Sequence, residues 1–75
     1  MKKLNNVLAN RYYQMIEDIK TARSYEDLRT AHGVCLGFAS ALFIADIIDL
    51  ECYNAMMDLA LKQAEFRTDK GYSSN

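Results

Sequence analysis

Apolar residues recur at three- and four-residue spacing from the start of the chain: Leu4, Leu8, Tyr12, Met15, Ile16 and Ile19. That spacing gathers them into one stripe along an α-helix. Asn5, Asn6, Asn10, Gln14, Glu17 and Lys20 take the remaining faces. The pattern predicts an amphipathic helix over residues 3–22. It breaks at residues 21–24, where Ser24 is a good N-cap and Glu26 and Asp27 follow in the first turn, at the positive end of a helix dipole. Ser24 and Asp27 together resemble a capping box. A second helix is predicted over residues 25–44.

The second half of that helix, from Val34 to Ile44, holds almost no polar residue. A helix that is apolar all round needs cover on more than one side. The other helices supply part of that cover, and a second copy of the chain can supply the rest. Asp46 to Asp49 interrupts the pattern, and Asp49 caps a third helix with Glu51 in its first turn. Leu50, Tyr53, Met57, Ala60, Leu61 and Ala64 form its apolar stripe, predicting a helix over residues 49–67. Residues 69–75 read as a mobile polar tail. The expected architecture is an all-α three-helix domain spanning residues 1–68, its central apolar helix packed between two amphipathic ones.

Composition agrees with this reading. The 75 residues suffice for one domain, with 51% hydrophobic and 25% charged residues, three glycines and no proline. A β-rich chain of this length needs more turn punctuation. From a net charge of −1 neither a broad phosphate-binding surface nor a strongly acidic one follows. The positive start, Met1-Lys2-Lys3, lacks the apolar run of a secretory signal. The stretch from Ala31 to Ile48 includes His32, two glycines, Ser40 and Asp46, so it is not a membrane span. The expected location is the cytoplasm, with Cys35 and Cys52 as packed, reduced thiols.

Candidate chemistry is sparse. His32, Cys35 and Cys52 offer nitrogen and sulfur ligands, but no fourth ligand and no paired C-x-x-C spacing accompany them, so no metal is assigned. Cys35 lies in the most apolar segment, which raises a thiol pKa instead of activating it. No phosphate-cradling glycine loop appears. Glu17 and Asp18 point in different helical directions and make a poor carboxylate pair. The expectation is a protein without catalytic activity and without a bound cofactor.

Three features suit contacts. Gly33, Gly37 and Ala41 are four residues apart on one helix face and let another backbone approach closely. That face serves either tight packing within one chain or a crossing between two copies, and it is the candidate self-association face of a homodimer. Tyr13 and Met56 are each displaced from their helix's main stripe by a neighbour and form a candidate partner patch. Lys20, Arg23 and Arg29 cluster around the first inter-helix turn and are candidate nucleic-acid contacts. Against that rival, the third helix opens with Asp49-Leu50-Glu51, which repels phosphates at the position of a recognition helix.

The run from Phe43 to Met57 resembles a pattern in small helical accessory proteins of temperate bacteriophages and prophages. There an apolar helix end is followed by a short turn, an isoleucine, an acidic or serine cap, an acidic residue and a tyrosine. Ile48, Asp49, Glu51 and Tyr53 carry the match, and Asp46 stands where the pattern places glycine. The resemblance covers about a fifth of the chain and implies a phage-type factor acting through protein contacts. It identifies no active residue. The sequence thus points to a protein-interaction module that binds or modulates a partner protein, with a nucleic-acid-associated regulator as the alternative.

Overall fold

The computed structural model describes residues 2–70. It contains three helices, α1 (Asn6–Lys20), α2 (Tyr25–Ile44) and α3 (Leu50–Lys70). Each packs against both others, and α1 and α3 touch each other less than either touches α2. The predicted all-α three-helix class is therefore correct. α2 packs most extensively with both neighbours, as expected, and α1 and α3 also touch, which closes the bundle.

Local chemistry sets each boundary. α1 starts later than the periodicity predicts because Asn5 is its cap: Leu8 N–H donates to the Asn5 side chain at 2.8 Å. Leu4, just before the cap, and Ala9, four residues into the helix, line one recess, as in a hydrophobic staple. At the far end Thr21 and the buried Ala22 close the helix. α2 begins as predicted, with Asp27 N–H donating to Ser24 Oγ at 3.0 Å.

α2 ends in a Schellman motif. Ile47 N–H donates to Leu42 O at 2.9 Å, and Asp46 N–H donates to Phe43 O at 3.0 Å. This closure needs a left-handed residue, and Asp46 takes that role with a φ of 63°. Lys2 pairs with the Asp46 carboxylate. Lys2 O also accepts from Asp49 N–H at 2.8 Å, which ties the chain start to the α2–α3 turn. Asp49 then caps α3, its Oδ1 accepting from Cys52 N–H at 2.8 Å.

α3 runs past its predicted end at residues 67–68. Arg67 Nε donates to Ala22 O at 2.8 Å and Thr68 Oγ1 to Ala64 O at 2.9 Å, and both side chains hold the last turns in place. Asp69 and Lys70, expected in the tail, are helical. The rest of that tail, residues 71–75, lies outside the described residues.

The core comprises Tyr12, Ile16 and Ile19 of α1, Leu28, Cys35, Ala39 and Leu42 of α2, Met56, Ala60 and Ala64 of α3, and Ala22 and Ile48 from the turns. Tyr12 is its polar exception. Its hydroxyl donates to Met56 O at 2.6 Å, and its ring stacks on Phe38 with centroids 6.0 Å apart. Burial, then the proximity of Cys35, push the Tyr12 phenol far above its ordinary value. It stays a neutral donor throughout the physiological range.

Candidate functional site

The outward face of α2 is the least expected surface of the molecule. Leu28, Cys35, Ala39 and Leu42 point into the core. On the opposite side, Thr30, Gly33, Gly37, Ala41 and Ile44 are exposed, Ile44 at 83%. No Asp, Glu, Lys or Arg occurs between Thr30 and Ala45, so this side of a surface helix has no charge over about four turns. Val34, 49% exposed, flanks it.

Packing within one chain does not account for the small residues. A Cβ built on Gly33 or on Gly37 meets no atom within 4 Å. Of the two roles the sequence left open, contact with α1 or α3 is excluded. Each glycine in a helix interior costs about 1 kcal/mol relative to alanine, and nothing in the described fold offsets that cost.

The Tyr13–Met56 patch does not form as expected. Tyr13 is 63% exposed, whereas Met56 is a core residue at 4%. Met57 is the half-buried one of the methionine pair. The apolar stripe of α3 is rotated from the predicted one: Met56, Ala60 and Ala64 are buried, while Leu50 and Leu61 are largely exposed. The reason is that α3 has two neighbours. Met56 meets Tyr12 of α1, and Tyr53 stacks on Phe43 of α2 with centroids 4.9 Å apart. Tyr13 and Met56 still line one shallow recess on the α1–α3 seam, with Leu4, Ala55 and Leu59.

The basic residues of the first turn also separate. Arg23 shares a recess with Asp18 and Asp27. Arg29 lies beside Glu26 and over the Tyr25 ring, 5.9 Å from its centroid. Lys20 instead joins Lys62, Gln63, Phe66 and Arg67 in a cleft at the end of the α1–α3 seam. The predicted trio is not one surface. The true basic group joins Lys20 to two cations some forty residues away in sequence, which local clustering cannot reveal.

The thiols are free, Cys35 buried and Cys52 half-buried. Burial, with a smaller contribution from Asp18, pushes the Cys35 thiol up to about 11. It is a packed thiol and a poor nucleophile. His32 lines a largely apolar recess with Leu36, Met57, Asp58 and Leu61, where its Nε2 is buried without a hydrogen-bond partner. Among the described residues, no three His, Cys, Asp or Glu side chains converge as metal ligands. No described helix is long and apolar enough to cross a membrane.

No family model, curated protein or solved structure matches this chain.

Proposed function

We propose that the protein is a non-catalytic interaction module of the cytosol that self-associates through the outer face of α2 and binds or modulates a partner protein with its remaining surface. The observation that carries this reading is the pair of glycines, Gly33 and Gly37, exposed on an uncharged helix face with open space above both. A second helix lying across that face would approach backbone to backbone and offset the propensity cost of both glycines. In an antiparallel two-fold crossing centred on Gly37, Gly33 of one protomer meets Ala41 of its partner and Thr30 meets Ile44. The exposed Ile44 and Val34 then bury apolar surface at about 25 cal/mol per Å². Two-fold pairing is also the commonest closed arrangement of identical chains. The phage-type resemblance of the α2–α3 turn fits such a module and adds no residue to the interface.

Sedimentation equilibrium tests the proposal. The expected mass is twice 8.6 kDa at micromolar concentrations, falling to 8.6 kDa in Gly37→Leu. Because the site is open, this substitution should leave the helical circular dichroism of the single chain intact. A wild-type protein that stays at 8.6 kDa over the whole accessible concentration range refutes the self-association reading.

A further inference from the structure

The cleft at the end of the α1–α3 seam carries more charge organisation than a chain of net charge −1 leads one to expect. Lys20 reaches it from the last turn of α1, and Lys62, Gln63, Phe66 and Arg67 from α3. Arg67 is fixed there, its Nε held by Ala22 O, with its remaining N–H donors not used by any described hydrogen bond. Lys62 pairs at 3.1 Å with Asp58, one turn away on its own helix, and both side chains are more than half exposed. Such pairs contribute little, so an incoming carboxylate exchanges readily with Asp58. Phe66 lines the same cleft.

The seam continues away from this cleft in a different character. α1 and α3 run in the same direction, since Tyr12 meets Met56 and Ala22 meets Arg67. About 16 Å of helix separates these two levels. At the first level the seam is lined by apolar and aromatic groups, including Leu59, Ala55 and the exposed Tyr13. The α1–α3 seam therefore holds two separate recesses, an apolar one and a cationic one, and about three turns of a peptide helix span both levels.

We infer that the α1–α3 seam is a docking groove for an amphipathic helical segment of a partner protein, its apolar side chains against Tyr13 and Leu59 and its acidic end on Lys20, Lys62 and Arg67. The inference rests on the protein-interaction reading and names the partner's chemistry. Charge complementarity decides the occupant, because the cations converge from two helices on one cleft and carboxylates match a fixed guanidinium. Nucleic acid fits less well. Its phosphates repeat along the strand, whereas the cations stop at one end of the groove.

The test is selection of a phage-displayed library of helical peptides on the full-length protein, followed by binding of the enriched sequences to wild type and to the double variant Lys20→Gln/Lys62→Gln. Both positions are exposed, so the variant should keep the wild-type helical signal and mass. The expected result is enrichment of peptides combining Leu, Ile or Phe with clustered Asp and Glu, bound at least about tenfold more weakly by the double variant. In ¹⁵N-edited spectra the bound peptide should shift the amides of Tyr13, Leu59, Gln63 and Phe66. Enrichment of neutral or basic peptides, no enrichment, or equal binding to the double variant overturns the inference. So does tighter binding of a single-stranded dT oligonucleotide that depends on the same lysines. Because this readout is separate from the sedimentation mass, failure here leaves the α2 self-association reading standing.

Discussion

Asp46 holds a backbone conformation that suits glycine, at the end of a helix whose dipole disfavours a carboxylate. The Schellman closure requires that conformation whatever the residue, so the strain belongs to the side chain and not to the turn. Asp46→Gly should therefore raise stability by about 0.5–1 kcal/mol, even with the exposed Lys2 pair lost. In thermal unfolding this corresponds to a rise of roughly 2–8 °C for a domain of this size. An unchanged or lower midpoint shows that the Lys2 pair outweighs the backbone. Asp49, three residues on, is a carboxylate in the right place. The hydrogen bond from Cys52 N–H, with a smaller contribution from the Lys2 backbone, holds its carboxyl below the usual range. A folded-state pKa below the unfolded value stabilises the fold above the unfolded value, and that contribution is lost as pH falls through the folded one. Asp49→Asn should thus flatten the acid limb of the stability–pH curve below about pH 4, while neutral-pH stability falls only slightly because asparagine also caps. A parallel acid limb in the variant rules out this assignment.

The helices themselves were legible in the alternation of apolar and polar positions, and α2 was legible almost to the residue because Ser24 has a capping side chain that sequence reasoning recognises. α1 was over-extended for the opposite reason. Asn5 sits within a run of asparagines, and only the geometry shows which of them receives Leu8 N–H. The face of α3 was misread because Met56 and Met57 are equally apolar, and periodicity alone cannot rank two stripes that overlap at Ala60 and Ala64. The packing angle between three helices breaks the tie, and a single helix does not contain that information. The consequence is measurable by urea unfolding of paired variants. Met56→Ala should cost about 2–4 kcal/mol as a cavity beside Tyr12. Met57→Ala, at the half-buried rim, should cost about 1 kcal/mol or less. Equal losses indicate that both methionines share the core.

At the scale of the molecule, two of the described surfaces differ in kind. The outer face of α2 is uncharged, with the small Gly33, Gly37 and Ala41 along it and the exposed Ile44 at one end. The α1–α3 seam is grooved, with charge at one end. A face of the first kind suits a copy of itself, since two-fold symmetry places like against like without charge repulsion. The second kind suits an asymmetric partner. That Gly33, Gly37 and Ala41 share one helix face was visible in their spacing. The charged end of the seam was not, because Lys20 and Arg67 become neighbours only through the register of α1 on α3.

Cys35 turns the centre of α2 into a built-in chemical reporter. With no exposed surface and a thiol raised to about 11, it cannot react with an aqueous disulfide reagent until the bundle opens. Cys52, half-buried in the first turn of α3, needs only local fraying there. Two labelling phases should follow at neutral pH, a fast one at Cys52 and a slow one at Cys35 whose rate follows opening of the core. If α2 pairs with α2, mass action makes the folded form harder to open as protein is added. The slow phase alone should then lengthen with concentration, so unmodified protein can disclose its own assembly through the clock of a single sulfur atom.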